Sequence, residues 1–146
     1  ERTMQVTPYL SFEGRCEEAL EFYRSALGAE VLDVSRYKDF PAAMEGCGDR
    51  LPPGSEAKVM HSSLKIGETL LMATDGLCSG KPKFEGISLS VKADDAAEAD
   101  RLFNALADGG QVQMPLGETF FSPRFGMVAD RFGVSWMVIV LPEGPC

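Results

Sequence analysis

The chain carries one imidazole, and it is the natural place to look for chemistry. His61 is the only histidine, and imidazole is the side chain that ordinarily titrates near neutral pH. It can take a proton as a general base or hydrogen-bond a ligand. A lone histidine on a strand more often satisfies the structure around it. Tyr9 can donate its phenol proton to a ligand carbonyl, or simply pack. Cys16 stands beside Arg15 where a helix is expected to begin, and both features favour a thiolate. Glu17 and Glu18 follow and oppose that shift, so packing at the helix start is the plainer expectation. Glu118 and Arg124 suggest either a polar gate or an ordinary surface ion pair, and the surface pair is expected. Phe120 and Phe121 can stack on an aromatic ligand or bury themselves, and burial is the expectation.

Several chemistries are excluded by what the sequence lacks. With one histidine, a two-histidine, one-carboxylate iron site cannot form within a single chain. The four cysteines, at 16, 47, 78 and 146, form no Cys-x-x-Cys pair. That is the usage of a reduced, cytoplasmic protein rather than a disulfide framework. The tract Gly46-Cys47-Gly48 neither follows a strand nor opens a helix, so it is no phosphate loop. No Gly-x-Ser-x-Gly elbow and no dinucleotide fingerprint is present. The 22 acidic and 14 basic residues leave a net charge of −8, which repels phosphate backbones and argues against nucleic acid as a partner. The apolar run Trp136 to Leu141 falls far short of the roughly 20 residues needed to span a bilayer. The opening residues lack the basic-then-apolar order of a secretory leader, so a cytoplasmic location without membrane attachment is expected.

The elements that position these residues can be read from period and punctuation. In segment 6–12, Val6, Pro8, Leu10 and Phe12 share one face, and Thr7, Tyr9 and Ser11 share the other. Pro8 puts that strand at an edge or at its own start. Segment 17–27 carries Ala19, Leu20, Phe22, Tyr23, Ala26 and Leu27 as a helical stripe, stopped by Gly28. A strand is expected over 30–37, and a loop of about 19 residues over 38–56, whose role the sequence does not reveal. Two strands over 59–66 and 68–74 turn tightly at Gly67. The pattern then restarts: a strand from Gly86, a helix capped by Asp94 or Asp95 with Ala99, Leu102, Phe103 and Leu106 inward, a stop at Gly109-Gly110, and strands over 111–116, 125–130 and 134–141. The 146 residues are thus read as one α+β domain of tandem βαβββ modules, 1–74 and 86–141, joined by a linker at 75–85. Each helix covers one face of its sheet, and the other faces curve around a shared cleft.

That order resembles the vicinal oxygen chelate superfamily of glyoxalase I, extradiol dioxygenases and bleomycin-resistance proteins. The stretches Pro8-Tyr9-Leu10-Ser11-Phe12-Glu13-Gly14, Cys16 through Tyr23, His61 through Gly67, Glu118-Thr119-Phe120-Phe121 and Arg124 through Trp136 resemble its PhnB-like branch in particular, whose members are often labelled demethylubiquinone methyltransferase-like. The resemblance implies the glyoxalase/bleomycin-resistance fold. It also implies that the positions bearing metal ligands in metal-using members fall here on Thr7, Leu71 (with Met72 as the one-residue alternative), Gly86 and Met137. None is a usual ligand for zinc, nickel or iron. Met137 is a soft thioether suited at most to copper(I), and no other soft group is expected beside it. No metal and no cofactor are therefore expected. The methyltransferase label finds no Gly-rich turn for adenosylmethionine in this sequence.

If Thr7 and Gly86 face the cleft, alternation brings Tyr9, Ser11, Ser88, Ser90, Ser135, Met137 and Ile139 to the same side. Val6, Leu10, Phe12, Ile87, Leu89, Val91, Trp136 and Val138 then face the helices. The expected ligand-binding set is Thr7, Tyr9, Ser11, His61, Ser88, Ser90, Phe121, Arg124 and Met137. Hydroxyls that donate and accept, with almost no charge, suit a small neutral polar or aromatic molecule. The expected function is metal-independent binding of such a molecule between the modules. The alternative is a lyase, isomerase or dioxygenase-type enzyme of the same superfamily. A homodimer is expected, because superfamily members commonly pair or swap modules.

Overall fold

The computed structural model describes residues 3–40 and 51–142. The 46–48 tract with Cys47, residues 41–50 of the 38–56 loop, and Cys146 lie outside the described residues. The contacts divide the chain into two compact units, Glu1–Pro82 and Lys83–Cys146. The first holds β1 (Tyr9–Ser11), α1 (Cys16–Leu27), β2 (Glu30–Arg36), β3 (Val59–Ile66) and β4 (Thr69–Thr74), with 3-10 turns at Tyr37–Asp39 and Ser55–Ala57. The second holds β5 (Ser88–Ala93), α2 (Ala96–Ala107), β6 (Gln111–Gly117), β7 (Arg124–Ala129) and β8 (Ser135–Val140). The sheets are ordered β1-β4-β3-β2 and β5-β8-β7-β6. In both, the first strand runs parallel to the last and the remaining pairs are antiparallel. The α+β class and the repeated βαβββ order stand as read.

Two strand starts differ from the expectation. β1 begins at Tyr9, and Val6 is 91% exposed instead of lying under the helix. Proline has no amide to extend a ladder, although the Pro8 carbonyl still accepts from the Met72 amide at 2.9 Å. β5 begins at Ser88, after Gly86 in the left-handed region (φ 74°), and Ile87 is 55% exposed rather than facing α2. The glycine turns the chain into the strand two residues later than the alternation suggests.

Each helix buries its apolar stripe on one face of its own sheet. α1 turns Cys16, Ala19, Leu20, Tyr23 and Ala26 inward, a spacing of three and four residues. They join Leu10, Phe12, Val59, Leu64, Leu71 and Ala73 in the core. α2 turns Ala99, Leu102, Phe103 and Leu106 toward β5, β7 and β8, where Val128, Trp136 and Val138 are buried. Gly126 lets α2 approach. A Cβ there would meet the Phe103 ring at 2.8 Å and a Leu116 methyl at 3.0 Å.

The helix starts are held differently. Arg15, at the N-cap of α1, makes no side-chain cap. Asp75, just past β4, supplies the acceptor instead. Its Oδ1 accepts from the amides of Gly14 (2.9 Å) and Cys16 (2.7 Å), and its Oδ2 from that of Val59 (2.7 Å). α2 is capped locally by Asp95, which accepts from the Glu98 amide at 2.8 Å. A second buried carboxylate, Asp130, organises the β7–β8 hairpin. It accepts from the amides of Phe132 (2.9 Å) and Val134 (3.1 Å) and from the Trp136 indole (2.9 Å).

Candidate functional site

The helix-free face of each sheet is the surface on which chemistry can be presented. On the first sheet Tyr9 stands beside Met72, Met72 opposite Ser63, and Ser63 opposite Asp33. His61 lies opposite Ser35. The Tyr9 phenol oxygen is 3.0 Å from His61 Nδ1, and the ring centroids are 5.5 Å apart. The phenol donates when the imidazole proton is on Nε2, and accepts when it is on Nδ1. The fold thus joins two residues 52 positions apart in the chain. Ser11 is half-buried, and its hydroxyl donates to the Glu13 carboxylate at 2.8 Å. Thr7 is half-buried and lies just before β1.

On the second sheet Ser90 stands beside Met137, Met137 opposite Met127, and Met127 opposite Met114. Ser88 stands beside Ser135, and the Gln113 amide reaches the Ser135 hydroxyl at 3.4 Å. The Phe121 ring packs edge-on against Phe120 at 5.1 Å and Phe125 at 5.0 Å. Phe120 is wholly exposed and Phe121 is 41% exposed, so the expected burial of this pair is overturned. The reason is local. Thr119 and Ser122 close a tight turn, with the Thr119 amide donating to the Ser122 carbonyl at 2.9 Å and the Ser122 amide to Thr119 Oγ1 at 3.0 Å. That turn holds both rings outside the core.

Other sequence candidates sit elsewhere. Arg124 alternates with Gly126 and Val128 on the helix side of β7, where its Nε donates to Asp100 of α2 at 2.7 Å. It pairs with Asp100 and not with Glu118, and it stands on the opposite face from Met137. Leu71 is buried on the helix side, and Met72 is the residue on the open face. Cys16 is fully buried with its sulfur 3.7 Å from the Ser62 hydroxyl, and burial pushes its thiol up to about 12. The helix amide that would favour a thiolate is already bonded to Asp75.

Ser63, Met127, Phe125 and Met114 are open-face residues that the sequence reading missed. Phe125 and Met127 could have been found from the alternation of 125–130. Met114 could not, because an extra residue in β6 sets its face.

A family model described as 3-demethylubiquinone-9 3-methyltransferase matches residues 4–139. The chain belongs to that family. Protein YjdN of Escherichia coli K12 is 33% identical to it over 145 residues, covering 97% of this chain and 99% of that protein. The crystal structure of protein PA1353 from Pseudomonas aeruginosa is 41% identical, covers 97% and 100% of the two chains, and superposes with a TM-score of 0.80. A Bacillus cereus PhnB protein, described as a putative 3-demethylubiquinone-9 3-methyltransferase, is 33% identical over 94% and 99% of the chains, with a TM-score of 0.76. A glyoxylase/bleomycin resistance protein/dioxygenase domain from Frankia shares the fold alone, at 17% identity and a TM-score of 0.62 over 99% and 95% of the chains. This family member is thus PhnB-like, and its fold is that of the glyoxalase/bleomycin-resistance proteins.

The residues present do not fit the groups that such kinship suggests. The positions to which the resemblance assigns metal ligands hold Thr7, Met72, Gly86 and Met137, and among the described residues no three His, Cys, Asp or Glu side chains come together. Zinc, nickel and iron sites are built from imidazole, carboxylate or thiolate donors. Among the described residues a methyl donor of the adenosylmethionine kind also finds no cradle. Each sheet has a single parallel strand pair, and the amides of Gly14 and Cys16 after β1 already bond Asp75.

Proposed function

We propose that this family member binds a small, neutral polar or aromatic molecule against the helix-free faces of its sheets, without a resident divalent metal or cofactor. The observation that carries this reading is the make-up of those faces. Tyr9, His61, Ser63 and Met72 on one, and Ser90, Met127, Met137, Phe125 and Phe121 on the other, combine hydrogen-bonding groups with aromatic and thioether surface. Polarizable sulfur and ring faces favour aromatic partners, and the few hydroxyls fix orientation. Glyoxalase and bleomycin-resistance relatives of the same fold support the class.

The test uses quinoline, 1-naphthol and phenol as probes, with binding read from the ring proton shifts of His61 and Tyr9. Saturable shifts are expected, and His61→Ala weakens them while Tm barely moves. Unchanged binding with a lowered Tm makes His61 a structural residue and overturns its place in the site. No saturable shift with any probe overturns the reading.

A second reading, an isomerase or lyase, is favoured by the Tyr9–His61 contact at 3.0 Å. A phenol and an imidazole in hydrogen-bond contact can pass a proton to and from a substrate. Turnover of a substrate lost equally in Tyr9→Phe and His61→Ala supports it. Binding without turnover favours the first reading.

A further inference from the structure

β6 runs antiparallel to β7, and its pairing is not regular. Gln111 lies opposite Ala129 and Val112 opposite Val128, but the partner of Met127 is Met114, not Gln113. Gln113 is the extra residue of a β-bulge. In an unbroken ladder Gln113 would face Met127, and Met114 would fall opposite Gly126 on the helix side, because a slip of one residue reverses the face. The bulge therefore puts Met114 on the open face, opposite Met127, which is itself opposite Met137. Three thioethers stand in one row across three neighbouring strands.

The fold does not require them. The first unit has the same sheet order and a one-residue shift at the same place in its second strand, between Val31 and Asp33. Its equivalent row reads Asp33, Ser63, Met72. A carboxylate and a hydroxyl are thus accommodated where the second unit carries sulfur. Directly opposed side chains start about 5 Å apart, and methionine is unbranched with three rotatable bonds. The two outer sulfurs can therefore close over the middle one. The expectation that Met137 has no soft neighbour is overturned.

We propose that Met114, Met127 and Met137 form a binding site for one soft monovalent cation, Cu(I) being the ion of that kind that thioethers select. The site uses no imidazole or carboxylate, so it differs in donor set from the divalent sites of the superfamily. It does not rest on the small-molecule reading. Met127 is the central ligand; Met114 is 45% exposed and gives the ion its way in.

The experiment uses Ag(I), an air-stable soft cation of the same charge, followed by anaerobic Cu(I) in competition with bicinchoninate. Cys47, Cys78 and Cys146 are replaced by Ser so that thiols do not compete, and the buried Cys16 is left in place. Where those replacements disturb the methyl spectrum, wild-type protein with its accessible thiols alkylated takes their place. Protein labelled with 13C at the methionine methyls gives one resonance for each of its seven methionines. Those of Met114, Met127 and Met137 shift together and saturate at one ion per chain, while Met72 stays still. Met127→Leu, which keeps volume and polarity class, weakens binding by about tenfold or more, as loss of a ligand should, and Met72→Leu leaves it unchanged. Three unmoved methyls at one equivalent, Met72 moving with them, or wild-type affinity in Met127→Leu overturns the site. Quinoline and naphthol binding is read separately, at His61 and Tyr9 on the first sheet.

Discussion

Cys16 shows how much a neighbourhood decides at a single residue. Arg15 and a helix start mark it for reactivity in the sequence, yet the thiol is sealed in the core and its proton is held up to about 12 from an ordinary 9.0. A raised value means that the folded state keeps the proton longer than the unfolded chain does. The stability this confers is full below pH 9 and is lost as pH climbs toward 12. The expected loss is about 1 kcal/mol per pH unit in that window. Comparing chemical unfolding of wild type and Cys16→Ala from pH 8 to 11 should show a steeper fall for wild type. Iodoacetamide at pH 8 should label Cys16 only once the chain is unfolded. Tyr9 and His61 were legible as residues with chemistry to offer, but not as a pair, since nothing in a linear sequence states that positions 9 and 61 meet. Arg124 was misplaced for the same reason: Asp100, its partner, lies on a different element.

At the scale of elements, period and punctuation were enough to read both helices and the order of elements along the chain. The αL glycine at Gly28 and the capping Asp95 ended and began helices where the sequence said they would. What escaped were bulges and long-range caps, because both depend on which strand lies alongside. Asp75 is the clearest case, a residue expected to open a linker that instead ties α1 to β3. Asp75→Asn replaces one acceptor oxygen by a donor that faces amides, and should cost about 2–4 kcal/mol by denaturant midpoint. Gly126→Ala forces a methyl between Phe103 and Leu116 and should cost about 1–3 kcal/mol, with m unchanged. Deleting Gln113, the extra residue, should leave Met114 opposite Met127 in a regular ladder, so the Met114 methyl keeps its response to Ag(I).

Taken whole, the molecule is one topology used twice within 146 residues. The duplication was visible in the sequence because alternation and helical stripes recur in the same order. The specialisation of each copy was not, since it resides in the cross-strand rows that only register defines. No helix among the described residues is long and apolar enough to cross a membrane. We propose a homodimer, and light scattering at micromolar concentration should return twice 15.8 kDa. A value of 15.8 kDa contradicts it.

The two ways of starting a helix also set an order of assembly. α2 has its cap three residues away, in Asp95, so its first turn can form before any strand is paired. α1 draws its acceptor from Asp75, 59 residues beyond Cys16, and must wait until β3 and β4 are in place. In refolding followed by pulsed hydrogen exchange, amides of α2 should gain protection ahead of those of α1, so that the later-synthesised copy matures first although both copies reach the same shape.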